Sequence, residues 1–435
     1  MKEFARGEKI KLLYGGECTI VDKIGEGGQG VVYRVNHSGK TMALKWYLDG
    51  KLSRPEPFYR NLKENVERGI PAPAFLWPKE ITEKQFGSFG YLMDLIPPEY
   101  IGFNYFLLTK KEGKAVQFRS FDAALAAGLH IVRAFRTLHQ NGYSYQDIND
   151  GNFAINPANG DVLICDNDNI APYGENLGIA GKPGYMAPEI VRGEKKPDIN
   201  TDKFSLAVIL FLLLFMDRPF EGKRNMVPCL TPDKELLFFG KDPVFIMDPS
   251  NPVNHPVAGI HQNVLKRWAL YPDFVKDLFI EAFSKEAIQD PSRRVIEKTW
   301  QEMFVKLRDL YNTCPYCGKM IFYDETADSL ICPNCGRQLP DILHLNTKRY
   351  QIPLVSGNVI YQCHIDETSD DYTAEAGLIR AKREDPFHIG IKNVSDYDWV
   401  VKRPEEDVKI IVPGSTVKTV KGTQITFGNY SVEVV

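Results

Sequence analysis

The feature that most constrains this chain is a pair of polar loops, each next to a short apolar stretch. In YSYQDINDGNFAIN, Asp147 is followed five positions later by Asn152 and then by a strand-like run. Nineteen residues after Asp147, the stretch DVLICD ends at Asp166. Aspartate and asparagine are common turn formers, so either loop alone carries little information. Together they predict three oxygen-bearing side chains at one place, and Mg²⁺ prefers such hard ligands.

A glycine-rich turn near the N-terminus is a candidate phosphate-binding site. The segment IVDKIGEGGQGVVYRV carries the pattern G-x-G-x-x-G, and Val32 lies two residues after its last glycine. Glycines let the backbone approach phosphate oxygens closely, although a simple Gly-rich hairpin has the same pattern. A dinucleotide-binding turn would lead into a helix, whereas VVYRV indicates a strand. The candidate glycines are Gly25, Gly27, Gly28 and Gly30.

Two further strands supply candidate nucleotide contacts. TMALKWY contains Ala43 and places Lys45 fifteen residues after the last glycine, where an exposed edge-strand lysine is the alternative reading. FGYLMDLIPPEY is typical of a strand that runs into a connecting segment, with Met93 at its end and Asp94 and Leu95 just beyond.

The order and spacing of these features resemble a Hanks-type protein kinase domain. Asp147 and Asn152 match the catalytic-loop motif, Asp166 matches D-F-G, and Lys45 matches the lysine of V-A-I-K. Three later matches keep the same order: Ala187-Pro188-Glu189 as A-P-E, Asp202 in a helix that would brace the catalytic loop, and Arg294 as the ion-pair partner of Glu189.

The resemblance implies an α+β, bilobal kinase fold over residues 1–312, with an N-lobe of about 1–95 and a C-lobe of about 96–312. It implies ATP and Mg²⁺ (or Mn²⁺) as cofactors. Catalysis is assigned to Asp147, Lys45, Asn152 and Asp166, and metal binding to Asn152 and Asp166. Nucleotide binding is assigned to Gly25, Gly27, Gly28, Gly30, Val32, Ala43, Lys45, Glu67, Met93, Asp94, Leu95, Asn152 and Asp166.

The glutamate that would pair with Lys45 is ambiguous. Kinase spacing favours Glu64 in the helix FYRNLKENVERGIP. At 100° per residue, however, Glu64 lies nearly opposite the apolar face, whereas Glu67 lies closer to it. Glu67 is therefore the preferred partner by a narrow margin, and Glu64 stays open.

Several positions depart from the kinase pattern. The changes are Tyr145 and Gln146 for His-Arg, Asn149 for a lysine, Asn167 and Asp168 for Phe-Gly, and Lys182 for a threonine. They weaken any inference about the type of hydroxyl substrate, but the phosphate lysine, the catalytic aspartate and both metal positions are retained. Asp168 either contacts metal or caps a turn, and the turn is favoured.

A narrower resemblance points to a group of bacterial kinases. ALKWY, GIPAPAFLWP, SYQDIN-x-x-N, LICDNDN and PVFIMDPSNPVNHP are similar to kinases encoded beside a PP2C-type phosphatase and a von Willebrand factor A-domain protein, in sets associated with tellurite-resistance-type genes. The resemblance implies these two proteins as partners and bacterial signalling as the context.

Two C-x-x-C pairs predict a zinc ribbon over residues 313–340. Cys314 with Cys317, and Cys332 with Cys335, are separated by fourteen residues and each pair is followed by a glycine. Four thiolates in this arrangement suit a closed, structural Zn²⁺ site, whereas two reduced or disulfide-linked pairs are the alternative. With little core of its own, the segment is expected to owe much of its folding energy to the metal.

Residues 341–435 have the composition of an all-β sandwich. Short β-branched or alternating stretches are separated by Gly, Pro and Asp. The closing VPGSTVKTVKGTQITFG resembles the last strands of forkhead-associated domains, but the Gly-Arg and Ser-x-x-His elements that hold phosphothreonine are missing. A degenerate, forkhead-associated-like interaction module is therefore predicted.

Composition excludes several other classes. The net charge of −3 gives no reason to expect binding to nucleic acid. The longest apolar run, residues 204–216, is shorter than the roughly 18 residues of a membrane span and predicts a buried helix. No secretory leader is recognisable, so a cytoplasmic protein is expected.

The leading hypothesis is an ATP- and Mg²⁺-dependent protein kinase acting on protein substrates, with Ser/Thr as the expected acceptors. The alternatives are a pseudokinase scaffold without turnover and a small-molecule kinase, which the A-P-E segment argues against. The segment from Asp166 to Glu189 contains no Ser or Thr, and Gln146 cannot form an ion pair with a phosphate. Phosphorylation of this segment is therefore predicted to be unnecessary, with control by partners or by the C-terminal modules.

Overall fold

The computed structural model describes residues 3–176, 178, 181–324, 330–382 and 385–435, with the side chains of 385–387 excepted. The chain divides into two compact units, Met1–Ala269 with Lys276–Gln301, and Leu270–Val275 with Glu302–Val435. The predicted kinase boundary at residue 312 lies beyond the end of the first unit. The further division at 340 stays a prediction.

The first unit begins with a six-stranded antiparallel sheet. Its strands pair in the order β1-β2-β3-β4-β6-β5, and β-branched and aromatic residues suit these half-buried strands. Helix α1 begins at a proline and ends at Arg68, and the next residue, Gly69, has a positive φ of 85° that suits a helix stop. The elements are β1 Lys9–Lys11, β2 Glu17–Glu26, β3 Gly30–His37, β4 Lys40–Tyr47, α1 Pro55–Arg68, β5 Glu80–Ile81 and β6 Gly90–Met93.

The rest of this unit is mainly helical, with short strands at the loops that carry the polar residues. Strand β11 pairs with both β12 and β7, and β10 pairs with β13. The elements up to α5 are β7 Ile101–Gly102, α2 Phe103–Leu107, β8 Lys110–Lys111, β9 Lys114–Ala115, α3 Phe121–Gln140, β10 Tyr143–Ser144, β11 Phe153–Ile155, β12 Val162–Ile164, β13 Ala171–Pro172, α4 Pro188–Val191 and α5 Ile199–Phe215.

The later helices are α6 Pro232–Glu235, a π-helix Leu236–Lys241, α7 Gln262–Trp268, α8 Asp273–Ala282, α9 Lys285–Gln289 and α10 Glu297–Leu310. Of the boundaries between the two compact units, one falls between α7 and α8, and the others fall within α8 and α10.

Helix α5 accounts for the longest apolar run. Asp198 and Thr201 form a capping box at its start, and nearly every residue from Phe204 to Phe215 is buried. The prediction of a buried core helix is confirmed. None of the described helices is both long and apolar enough to cross a membrane.

The second unit is built mainly from antiparallel strands. One sheet has the order β17-β16-β25-β24-β21-β22, another has the order β18-β19-β20-β23, and β14 pairs with β15. The elements are β14 Tyr311–Thr313, β15 Met320–Phe322, β16 His344–Asn346, β17 Gln351–Pro353, β18 Val359–Tyr361, α11 Gln362–Ile365, β19 Glu375–Lys382, β20 Asp385–Asn393, β21 Trp399–Lys402, β22 Lys409–Ile411, β23 Thr416–Lys418, β24 Gln424–Phe427 and β25 Tyr430–Val434.

The two larger sheets of this unit approach each other around a buried tryptophan. A Cβ atom added to Gly377, in the four-stranded sheet, would lie 3.1 Å from the ring of Trp399 in the six-stranded sheet. Trp399 also packs on Phe427, with ring centroids 4.7 Å apart. This β-rich arrangement accords with the alternating sequence pattern. The forkhead-associated-like sandwich stays a prediction.

Candidate active site

Lys45 lies in the central part of the first sheet and is 6% exposed. Strand β4 sets it opposite Val32 of β3 and Tyr91 of β6. Its Nζ atom is 2.8 Å from Oδ2 of Asp168 and 3.2 Å from Oδ1 of Asp166. Burial lowers the pKa of Lys45, but the two aspartates outweigh burial and raise it above its ordinary value. The lysine is therefore a fixed positive charge.

Asp166 lies just beyond strand β12 in a left-handed conformation, with φ 52° and ψ 44°. Aspartate is one of the few residues besides glycine that adopt this conformation readily. Its side chain is 45% exposed, so part of the carboxylate stays accessible while one oxygen faces Lys45. The preceding N–H of Cys165 donates to the backbone oxygen of Asn152 at 2.8 Å, which joins the two polar loops.

Asp147 lies at the centre of the first polar loop, half-buried. Asn149 Nδ2 donates to its Oδ1 at 3.0 Å, and Asn152 Nδ2 donates to its backbone oxygen at 2.9 Å. Burial raises the pKa of Asp147 to about 6, with smaller contributions from the charges of Asp166 and Asp168 and an opposing effect of the asparagine hydrogen bonds. A carboxylate of this kind can accept a proton close to neutral pH.

A buried charge network supports this loop from below. Asp202 accepts hydrogen bonds from the backbone N–H groups of Tyr145 at 2.6 Å and Gln146 at 3.0 Å. His139 lies between two carboxylates, 3.2 Å from Asp202 and 2.6 Å from Glu297. Burial lowers the pKa of His139, but these two hydrogen bonds raise it to about 9. The role predicted for Asp202, bracing the loop, is confirmed; His139 and Glu297 were not predicted as part of that brace.

The other nucleotide-binding candidates lie in the glycine-rich turn, on the strands next to Lys45 and just beyond β6. The N–H of Gly27 donates to the Gly30 oxygen at 2.8 Å, and a Cβ atom on Gly30 would lie 2.5 Å from the oxygen of Trp46. Gly30 therefore has to be glycine at this close approach. The remaining nucleotide candidates lie on neighbouring strands and just beyond them: Gly25 opposite Val32, Gly28 within the turn, Ala43 opposite Met93, Leu95 packed in the same core, and Asp94 paired with Lys79 at 2.5 Å.

Comparison with known families adds independent information on these loops. Residues 104–238 match the protein kinase domain family. The matched range contains Asp147, Asn152, Asp166 and Asp202, so it covers both polar loops and their brace. This part of the chain is therefore similar to protein kinase domains. The mixed α/β content of the first unit fits a bilobal kinase fold.

Individual relatives agree with this assignment. Serine/threonine-protein kinase 36 of Mus musculus is 29% identical over 210 residues, which cover 46% of this chain and 15% of the relative. NUAK family SNF1-like kinase 2 of Pongo abelii is 35% identical over 222 residues, covering 48% and 32%. Serine/threonine-protein kinase ATG1a of Arabidopsis thaliana is 25% identical over 288 residues, covering 63% and 43%. The alignments span less than half of each relative, and they show similarity to protein kinases over part of this chain.

The expected pair between the kinase lysine and a helix glutamate is not formed. Glu67 is exposed, and its carboxylate accepts a hydrogen bond from the Tyr14 hydroxyl at 2.7 Å. Glu64 is exposed too. The apolar-face argument failed because α1 turns two asparagines, Asn61 and Asn65, into the interior. Among the described residues, the carboxylates within ion-pair distance of Lys45 belong to Asp166 and Asp168.

Asp168 has a larger role than the predicted turn cap. Its side chain is fully buried and is held by Lys45 and by the hydroxyl of Tyr47, which donates to the same oxygen. A turn residue would leave its carboxylate near solvent or on a local N–H group. The preference for a turn cap was therefore wrong, and Tyr47 is a further site residue that the sequence analysis missed.

Gln146 stands where the kinase pattern has arginine, and its amide reaches the segment between Asp166 and Glu189, which corresponds to the activation segment of protein kinases. Nε2 donates to the backbone oxygen of Glu175 at 2.6 Å, and Oε1 accepts from Asn176 Nδ2 at 2.9 Å. The catalytic loop and the activation segment are thus joined by neutral hydrogen bonds, at a position where a phosphate–arginine pair orders the segment in many kinases.

The end of the activation segment carries the ion pair expected from the sequence. Arg294 NH2 lies 2.8 Å from Glu189 Oε2, and both side chains are buried. This prediction is confirmed. Lys182 stands where the kinase pattern has a threonine. Its Nζ atom lies 2.5 Å from Oδ1 of Asp150 in the catalytic loop.

Four of the five cysteines of the second unit form one cluster. The sulfur of Cys314 is 3.9 Å from that of Cys335, Cys317 is 3.8 Å from Cys332, and all four sulfur atoms lie within 4.8 Å of one another. Tetrahedral Zn–S bonds of about 2.3 Å require sulfur separations close to these. Gly318 and Gly336 both have left-handed φ values, 68° and 69°, so the two knuckles share one conformation. The cluster is compatible with zinc.

Proposed function

We propose that this chain is an ATP- and Mg²⁺-dependent protein kinase that transfers the γ-phosphoryl group to protein hydroxyls, with Ser/Thr as the main acceptors. The observation that carries the proposal is that Lys45 meets Asp166, and that Asp166 and Asp147 interact within the range 104–238 that matches the protein kinase domain family. Phosphoryl transfer depends mainly on positioning and charge neutralisation, and these groups supply both.

Each residue has a role that its environment supports. Asp147, with its pKa raised to about 6, accepts the proton of the attacking hydroxyl. Lys45 offers a permanent positive charge to phosphate oxygens. The glycine turn presents backbone N–H groups to the same phosphates.

The residues also fit a divalent cation. Asp166 keeps an accessible carboxylate, and Asn152 lies in the loop that the Cys165 N–H joins to it. Both are hard oxygen donors of the kind that Mg²⁺ selects, and the bound cation would neutralise charge on the transferred phosphoryl group.

Transfer of label from γ-labelled ATP to a generic protein substrate tests the proposal directly. The purified chain should label the substrate in the presence of Mg²⁺, and Asp147→Asn should lose nearly all of the label while keeping its melting temperature. A wild-type chain that binds nucleotide but transfers nothing would favour the pseudokinase alternative.

A structural zinc ion in the four-cysteine cluster is a second proposal. Elemental analysis of protein purified without chelators should find about one zinc per chain. Cys314→Ser with Cys317→Ser should lose it and loosen the second unit, since the small surrounding core offers little independent stability. Cys229→Ser, at an exposed cysteine outside the cluster, is the matched control. A metal-free, fully folded wild type would contradict the proposal.

The remaining parts of the proposal concern context. The resemblance to bacterial kinases supports a cytoplasmic signalling role with a PP2C-type phosphatase and a von Willebrand factor A-domain protein as partners. The C-terminal β region would then be an interaction module that does not depend on phosphothreonine. Co-purification of the three proteins from a strain that expresses them together tests this, and their failure to associate would contradict it.

A further inference from the structure

The carboxylate of Asp168 is the most buried charged group beside Lys45. Asp168 is completely buried, and its Oδ2 atom lies 2.8 Å from the lysine Nζ. The same oxygen accepts a hydrogen bond from the buried hydroxyl of Tyr47. Asp166, the other carboxylate at Lys45, lies farther away at 3.2 Å and is 45% exposed. The two aspartates are therefore in different environments although only one residue separates them.

Because they differ in burial, Asp166 and Asp168 are suited to different roles. A fully buried carboxylate is stable only with a positive partner, so Asp168 and Lys45 depend on each other. Asp166 has solvent around part of its carboxylate and can exchange Lys45 for a cation at small cost. Lys45 would keep Asp168 as its counter-ion when Asp166 binds a cation.

Helix α1 offers no competing anion in this structure. Its buried polar side chains are Asn61 and Asn65, whose amides donate to the backbone oxygen of Ile170 at 2.8 and 3.1 Å. Those bonds tie the helix to the segment that carries Asp168. The helix glutamates Glu64 and Glu67 are on the exposed side.

We propose that Asp168 is the positioning residue that holds Lys45 towards the nucleotide phosphates, in place of a helix glutamate, and leaves Asp166 free for the metal. The inference rests on the proposed function, because it assigns Lys45 to phosphate. Helix α1 then supports the segment from Asp166 to Asn169 through its two asparagines. The helix does not have to move for Lys45 to contact its carboxylate partner.

Mg·ATP affinity of the full-length chain is the primary test, because it needs no turnover. Asp168→Asn should raise the dissociation constant for Mg·ATP by about tenfold or more, since Lys45 loses its permanent counter-ion. Glu64→Gln and Glu67→Gln are matched charge removals on α1 and should leave the constant unchanged. A loss with either glutamine variant equal to that of Asp168→Asn would overturn the inference.

A double mutant separates positioning from direct metal binding. The second oxygen of Asp168 has no hydrogen-bond partner among the described residues, so direct metal contact is the rival role. Lys45→Met combined with Asp168→Asn removes both buried charges and avoids leaving one unpaired. The double variant should bind Mg·ATP as Lys45→Met alone does. A further loss of affinity in the double variant would show that Asp168 acts independently of Lys45, contrary to the inference.

Melting temperatures of all variants accompany the titrations. If Asp168→Asn alone unfolds, the comparison of Lys45→Met with the double variant still decides the question. If Asp168→Asn weakens Mg·ATP binding as expected but the wild type transfers no phosphoryl group, the proposed kinase function is refuted and this inference stands. Normal transfer with binding indifferent to Asp168 would refute the inference alone, and a wild type that binds no Mg·ATP would refute both.

Discussion

The catalytic loop and helix α1 support the same stretch of chain, around Asp166, with different chemistry. The loop rests on buried charges: Asp202 accepts two backbone N–H groups and lies beside His139, whose pKa is raised to about 9 despite its burial. Helix α1 is held by the neutral amides of Asn61 and Asn65 on the Ile170 oxygen. One support is ionic and the other is not.

The difference shows which side of the site tolerates change. Removing one member of a buried charge network leaves its partner unpaired, which is expensive. Removing one of two amides on a shared carbonyl leaves that carbonyl satisfied. We therefore expect the loop to be the sensitive support and helix α1 the tolerant one.

The largest expected effect is on chemistry at the loop. Asp147→Asn should lower the transfer rate by about 10²–10⁴-fold, the usual contribution of a general base, while the melting temperature stays near that of wild type. Steady-state rates on a generic protein substrate measure it. Asp233→Asn, an exposed aspartate of the same unit, is the control. Near-normal turnover of Asp147→Asn would remove Asp147 as the base.

The ionic brace should give the next largest effect. Asp202→Asn should lower the free energy of unfolding by about 3–5 kcal/mol, because an amide has one acceptor oxygen for the two buried backbone N–H groups and carries no charge opposite protonated His139. Urea unfolding of the full-length chain, resolved by unit, measures the change. A cost below about 1 kcal/mol would show that the network is dispensable and that the comparison fails.

The pH dependence of the rate sharpens the assignment of the loop carboxylate. Because burial raises the pKa of Asp147 to about 6, the protonated form, which cannot accept a proton, dominates below that pH. The transfer rate should therefore fall about tenfold per pH unit below 6 and level off above it. A rate that stays flat down to pH 5 would contradict the raised pKa.

The smallest of the structural effects belongs to helix α1. Asn61→Ala should cost about 1 kcal/mol of unfolding free energy, since Asn65 still donates to the Ile170 oxygen. The cost should be the same at pH 6 and pH 9, because no charge is involved. Lys63→Ala, exposed on the same helix, is the control. A loss comparable to that of Asp202→Asn would mean that the two supports do not differ.

The same two regions mark how far the sequence predicts the site. The catalytic loop and its brace depend on motif spacing within continuous segments, so Asp202 and the pair of Arg294 with Glu189 could be anticipated. The carboxylate partner of Lys45 could not be anticipated in this way. A helical projection orders side chains by their angle to the apolar face, and it does not show that asparagines face a polar interior. The role of Asp168 was misassigned because the preference of aspartate for turns is the same whether its carboxylate ends in solvent or on a buried lysine.

We propose that this site needs no phosphorylation to assemble, because Gln146 joins the catalytic loop to the activation segment through neutral hydrogen bonds. The most direct test is the initial rate of phosphoryl transfer to an exogenous protein substrate by enzyme treated with phosphatase and then freed of it. We expect the treated enzyme to have the same initial rate as the untreated enzyme. A collapse of the rate on treatment, restored by autophosphorylation that maps to Tyr173, would contradict it.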